Sequence, residues 1–275
     1  MLLQRVAVSI VGIPVIIGLT LLGGPVFTIA AGVIFTIAAL EFYAATDPQS
    51  SGSGRTRRLF DLRLLSLIGA GGVALLVAAA DNGFDWWTRA LTLLVLLPFL
   101  PIILRGDTQT GLRDWLWTLG GLLYVGFLGS HLILLRDAPN TDGEDWVLLA
   151  LCATFATDTA ACFVGRLLGR TKIASAISPG KTLEGSLGGF AAGFGTVLLL
   201  NWALDAGAGA EIIPLAVLLP VVAQIGDLAE SLIKRGAGMK DASQVIPGHG
   251  GILDRLDSLL FTIPLVYYYL TWLIL

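Results

Sequence analysis

Residues 146–168 read WVLLALCATFATDTAACFVGRLL, a run of 23 in which Asp158 and Arg166 are the only charged side chains. A bilayer core needs about 20 mostly apolar residues per helix, so this stretch is long enough to span one. Such runs recur at 6–22, 26–46, 64–80, 87–104, 115–135, 186–204, 212–233 and 256–275, which makes nine expected spans in an all-α polytopic membrane protein. Gly23-Gly24-Pro25 breaks the first pair, as Gly and Pro do at turns.

The whole composition agrees with that reading. Hydrophobic residues make up 55% of the 275 and charged residues 13%, whereas a soluble domain carries about 25% charge. A net charge of −3 gives no basic surface for nucleic acid, and none is expected as a partner. Cys152 and Cys162 are ten residues apart on one expected helix, about 15 Å along its axis. They are too far apart for a disulfide and read as small packing residues. The N-terminal stretch from Met1 to Leu22 has the basic residue and apolar run of a signal peptide but no clear A-x-A site, so it reads as the first span.

Charge then orients the spans. Alternate loops hold Arg5; Arg55, Arg57, Arg58 and Arg63; Arg105 and Arg113; Arg166, Arg170, Lys172 and Lys181; and Lys234, Arg235, Lys240 and Arg255, which is 15 of the 17 basic residues. The opposite loops hold Arg89 and Arg136 beside Asp142, Glu144 and Asp145. Basic loops stay cytoplasmic, so the expectation is an N-terminus inside, a C-terminus outside and an odd number of spans. Loops 166–185 and 234–254 then share the cytoplasmic side with Asp227. A carboxylate at membrane depth costs a few kcal/mol on insertion scales and normally faces a partner or a polar cavity, so a polar assembly is expected at that face.

Its densest part is QIGDLAESLIKRGAGMKDASQVIPGHGGILDRLDS at 224–258. On a helix Asp227, Glu230, Ser231 and Lys234 share one face, and Asp254, Asp257 and Ser258 repeat the i, i+3, i+4 spacing. Between them Pro247-Gly248-His249-Gly250-Gly251 is too Gly-rich for a helix and offers backbone N–H groups to an anion. Carboxylates for a hard cation, interleaved Lys and Arg for phosphate charge, and a glycine loop suit a metal-bound nucleotide.

From Ser231 to Asp257 the chain reads S-x2-K-R-x4-K-D-x-S-x2-I-P-G-H-G-G-x2-D-R-x-D, which resembles the signature of the phosphatidate cytidylyltransferases (CDP-diacylglycerol synthases). A second block, Asp158-Thr-Ala-Ala-Cys-Phe-Val-Gly165-Arg166 followed by Ser178-Pro179-Gly180-Lys181-Thr182-Leu183-Glu184-Gly185, is similar to the family's upstream motif. Cys162 stands where the family carries an aromatic residue, usually Tyr. The resemblance covers roughly 155–260, so residues 141–275 are expected to form the catalytic region and 1–140 to supply membrane helices of little diagnostic value.

By that resemblance Asp227 and Asp254 bind Mg2+, with Asp257 and Asp158 as further candidate ligands and the number of cations left open. Lys181, Lys234, Arg235, Lys240 and Arg255 meet phosphates of CTP or of the lipid. Ser178, Thr182, Ser231 and His249 supply hydrogen bonds, and Asp241, Glu184, Arg166, Gly250 and Gly251 complete the set. The implied partners are CTP, phosphatidate in the bilayer and a second copy of the chain, at a bacterial inner membrane with the site facing the cytoplasm. The chemistry is in-line attack on the α-phosphorus of CTP with pyrophosphate leaving, which needs no covalent nucleophile.

Bland readings compete at single residues. Gly180-Lys181-Thr182 ends like a P-loop, but position 175 is Ser where that motif needs Gly. His249 alone would be structural more often than functional. Glu41 reads as a helix-end residue at headgroup level, and Gly189 with Gly193 as a close-packing motif. Trp86, Trp87, Trp115, Trp117, Trp146 and Trp272, with Tyr267-Tyr268-Tyr269, read as an interfacial belt. A CTP-dependent lipid kinase of the polyprenol or phytol type and a secondary transporter are the rival functions. A CDP-alcohol phosphotransferase lacks its D-G-x2-A-R segment here.

Overall fold

The computed structural model describes residues 12, 14–47, 64–106, 108–204, 206, 208–239 and 251–275. Among them the chain is all-helical, and the nearest approach to a strand is an isolated antiparallel bridge between Lys172 and Thr182. In order, the helices are α1 (Gly24–Thr46), α2 (Leu64–Ala80), α3 (Phe84–Arg105), α4 (Gly111–Arg136), α5 (Gly143–Leu168), α6 (Leu183–Ala203), α7 (Ile212–Gly236) and α8 (Leu253–Ile274). Seven described helices, all of these but α2, are long and apolar enough to cross a membrane; α2 is apolar but has 17 residues. Of the expected first span, 6–22, residues 6–11 and 13 lie outside the described set.

The described residues group into two compact units. One takes those of Met1–Leu134 with Ile233–Arg255, the other Leu135–Leu232 with Leu256–Leu275. In the first, Gly23 and Gly24 adopt left-handed backbone (φ 60° and 53°) immediately before Pro25, which starts α1 where a missing N–H costs nothing. The buried Tyr43 of α1 donates its hydroxyl to the carbonyl of Thr118 at 2.6 Å. Its ring fills space left by Gly69 of α2 and Gly121 of α4. Trp87 is buried and donates to Ser130 Oγ at 2.7 Å, and Trp117 donates to Thr46 Oγ1 at 3.0 Å.

These contacts correct the aromatic-belt reading. Trp86 and Trp272 are exposed, but Trp87, Trp117 and Trp146 are core residues, and so is Tyr269, whose hydroxyl donates to Glu211 O at 2.6 Å. Position near a span end does not reveal which way an indole faces; the packing of neighbouring helices decides it.

In the second unit α5 and α6 lie unusually close along a ridge of small residues, Gly185, Gly189 and Gly193. A Cβ at Gly189 would stand 2.8 Å from the Thr157 carbonyl oxygen, and one at Gly185 2.7 Å from that of Ala161. The expected Gly189/Gly193 packing motif is therefore real, and it begins one turn earlier. Such close approach replaces the hydrophobic drive that is missing between helices in lipid. It also sets α6, and the loop that enters it, against the polar face of α5.

Candidate active site

The loop from Gly169 to Thr182 is a tight hairpin built from the backbone outward. Leu183 N donates to Thr171 O at 2.8 Å and Ile173 N to Lys181 O at 3.3 Å, closing its two arms around the Lys172–Thr182 bridge. The tip turns through Ser178-Pro179-Gly180, where Lys181 N donates to Ser178 O at 3.1 Å. Thr182 caps α6 by accepting from Gly185 N at 3.2 Å, as Ser, Thr, Asp and Asn do at helix starts. Glu184 folds back so that its carboxylate accepts from the N–H groups of Arg170 at 3.0 Å and Thr171 at 3.2 Å. Its oxygens hold the hairpin together.

The hairpin delivers Lys181 to α7, where its Nζ forms an ion pair with Asp227. Gln224, one turn earlier on α7, donates to Ser186 O of α6 at 3.3 Å and fixes that part of the helix. Beside it Gly226 lets residues 257–258 approach: a Cβ there would meet the Asp257 carbonyl oxygen at 2.8 Å. Ser258, which is buried, donates from Oγ to Asp158 Oδ1 at 3.2 Å and from its N–H to Asp257 Oδ1 at 2.7 Å. Asp158 thus lies within electrostatic reach of Asp257, Asp227 and Lys181. Three carboxylates and one lysine of the expected set are gathered in this unit.

The other unit holds a second pair. Lys234 Nζ donates to Asp254 Oδ1 at 2.8 Å, and Gly251 N donates to the other carboxylate oxygen, also at 2.8 Å. The side chains of Lys234 and Asp254 are 16% and 11% exposed, so this charge pair is largely shielded from water. Leu253 N donates to Oε2 of Glu41 at 2.8 Å, and Glu41 is fully buried. Glu41, expected near a helix end, is thus a buried acceptor inside the fold.

Of the remaining expected residues, Asp227, Glu230, Ser231 and Lys234 share α7 at the predicted spacing. The short helical turn Leu253–Leu256 that opens α8 carries Asp254 and Arg255, whereas Asp257 and Ser258 form a non-helical turn before α8 resumes at Leu259. Arg166, Arg235 and Arg255 are exposed, and Ser178 is half-buried at the hairpin tip. Lys240, Asp241, His249 and Gly250 lie outside the described residues.

Carboxylates of this kind, taken unit by unit, suit a hard cation. Mg2+ usually takes one or two carboxylates and completes its shell with water and substrate phosphates, and both Asp227 and Asp254 already face a cationic side chain. Among the described residues no three acidic, His or Cys side chains converge as a complete cage. Substrate phosphate oxygens are the natural complement to such carboxylates. Sequence reasoning overlooked Gly226 and the Ser258 link to Asp158. A glycine directly before an intramembrane aspartate was the available signal.

Comparison with known proteins agrees with the geometry. A sequence profile described as the cytidylyltransferase family matches residues 3–273. The phosphatidate cytidylyltransferase of Brucella suis is 35% identical over 264 residues, covering 96% of this chain and 91% of that protein. That of Synechocystis is 33% identical, covering 98% of this chain and 97% of the relative. That of Pseudomonas aeruginosa is 33% identical over 99% and 97%.

Proposed function

Because this chain belongs to the cytidylyltransferase family, we propose that it transfers the CMP unit of CTP to phosphatidate, giving CDP-diacylglycerol and pyrophosphate for phospholipid biosynthesis in a bacterial inner membrane. The observation that carries this reading is the nearly end-to-end likeness to proteins named phosphatidate cytidylyltransferase. That name favours CMP transfer over lipid phosphorylation or transport.

The chemistry asks the protein for positioning and charge, not for a covalent nucleophile. A phosphate oxygen of phosphatidate attacks the α-phosphorus in line, and negative charge grows on the departing pyrophosphate. Lys181, Lys234, Arg235, Lys240 and Arg255 bind and neutralise phosphates. Ser178, Thr182, Ser231 and His249 orient them by hydrogen bonds, with Gly250 offering a further N–H donor, while the N–H of Gly251 is given to Asp254. Asp227 and Asp254 are the proposed Mg2+ ligands, supported by Asp158, Asp241 and Asp257. When bound, the cation neutralises phosphate charge as the leaving group departs. Glu184 acts on this scheme by holding the Lys181 hairpin, and Arg166 sits at the end of α5 beside it.

The finer organisation belongs to the same proposal. The chain spans the membrane nine times with its N-terminus and site cytoplasmic, residues 141–275 carry the catalytic motifs, and two copies form a homodimer. Purified protein given Mg2+, CTP and phosphatidate should release pyrophosphate and CDP-diacylglycerol, and release should stop when phosphatidate is left out. Folded protein that releases none with all three present would defeat the proposal.

A further inference from the structure

Glu41 sits in the apolar helix α1, fully buried, where a carboxylate costs several kcal/mol unless it is partnered. Its partner is the N–H of Leu253, 212 residues away in the chain, at 2.8 Å from Oε2. That N–H belongs to the first residue of the turn Leu253–Leu256, and the opening N–H groups of a helical turn have no acceptor within it. An anionic acceptor there forms a charge-assisted bond, about twice as strong as a neutral one.

The next residue is Asp254. Its two oxygens accept from Gly251 N and Lys234 Nζ, each at 2.8 Å. Residues 251–254 are thus held at backbone and side chain alike: Glu41 pins the main chain, and Lys234 with Gly251 fixes the carboxylate's direction. We infer that Glu41 is a positioning residue, which through Leu253 N–H fixes the backbone that aims Asp254 and so sets the geometry of that carboxylate for cytidylyl transfer. The inference rests on the activity proposed above. It gives a role to an acid that touches no substrate in that scheme.

The test uses the full chain in detergent. Glu41→Leu removes both acceptor oxygens at similar volume, with Glu41→Ala as the second variant should the first not yield folded protein; Glu41→Gln keeps a neutral acceptor. Hydrogen–deuterium exchange in EDTA, without nucleotide, should rise about ten-fold or more at peptides covering 251–256 in the Leu or Ala variant. The same peptides should stay near wild type in Glu41→Gln. In the CTP and phosphatidate assay the Leu variant should lose about ten-fold in kcat, and Glu41→Gln should recover to within about five-fold of wild type. Because Glu41 acts through Asp254, adding Asp254→Asn to Glu41→Leu should cost no more than Asp254→Asn alone, whereas independent losses would multiply. Unchanged exchange at 251–256, or multiplying losses, would overturn the inference. A wild-type protein with no activity would overturn the proposed function and this inference with it; an active wild type matched by its variants would overturn the inference alone.

Discussion

The ammonium of Lys181 and the carboxylate of Asp227 form an ion pair that joins the returning arm of the hairpin before α6 to α7. The two residues are 46 positions apart. Thr182 and Glu184 hold the hairpin, and Gln224 and Gly226 set α7 against its neighbours, so both supports bear on where the pair lies. In the proposed scheme Lys181 would meet phosphate and Asp227 the cation.

Removing either partner should therefore cost rate. Asp227→Asn keeps the volume but removes a charged oxygen, and Lys181→Met removes the cation. Loss of one electrostatic contact of this kind typically lowers kcat about 10²–10³-fold. Steady-state kinetics with CTP and phosphatidate check this, and turnover within a few-fold of wild type in both variants would remove these residues from the site.

Shielding makes the Lys234–Asp254 pair matter for stability as well. Lys234→Met would leave the Asp254 carboxylate, 11% exposed, without its Nζ partner. A buried group that loses its hydrogen-bond partner costs roughly 1–3 kcal/mol, which should appear as a lower Tm in detergent together with a loss of rate. A lower rate at unchanged Tm would mean that the pair is not a stabilising contact.

Close approach at Gly226 can be tested by adding one methyl group. In Gly226→Ala the new Cβ would meet the Asp257 carbonyl oxygen at 2.8 Å, so α7 and residues 257–258 must separate. Overpacking of this kind costs about 1–3 kcal/mol and displaces Asp227 relative to Asp257. Gly195→Ala on α6 meets nothing within 4 Å and serves as the neutral control. Equal Tm and equal rate in the two variants would contradict the packing described for α7.

Much of this was legible in the sequence, because lipid imposes a strong pattern. Long apolar runs marked the helices, and Asp158, Asp227 and the Lys/Arg-rich loops stood out against them. Asp254 and Lys234 were singled out separately, but their pairing depends on how the chain returns to α7 after 20 residues, which local spacing does not reveal. The contact between Glu41 and Leu253 was hidden for the same reason, since the two are 212 residues apart. The acceptor role of Glu184 toward the N–H groups of Arg170 and Thr171 was not legible either, because it depends on how the hairpin folds back. The buried tryptophans were misassigned because hydropathy reports depth along a span and not direction around it.

The proposed orientation rests on charge alone and has its own test. In a background lacking Cys152 and Cys162, single cysteines at Ser53, Ser175 and Ser243 should resist an impermeant thiol reagent in intact cells and label after lysis. A cysteine at Thr141, in a loop of the opposite set, should label in both. Strong labelling of the first three in intact cells would put the Lys181 hairpin on the wrong side for cytosolic CTP.

The central claim is that the α-phosphorus of CTP is the atom attacked. Cytidylyl transfer moves the whole CMP unit to the lipid, whereas a CTP-dependent kinase moves only the γ-phosphate and releases CDP. Purified protein should be supplied with phosphatidate, Mg2+ and CTP labelled with 32P at either the α or the γ position, and the lipid then extracted into chloroform. The account predicts α label in the lipid as CDP-diacylglycerol and γ label in the aqueous phase as pyrophosphate. γ label in the lipid, with α label left in water as CDP, would contradict it.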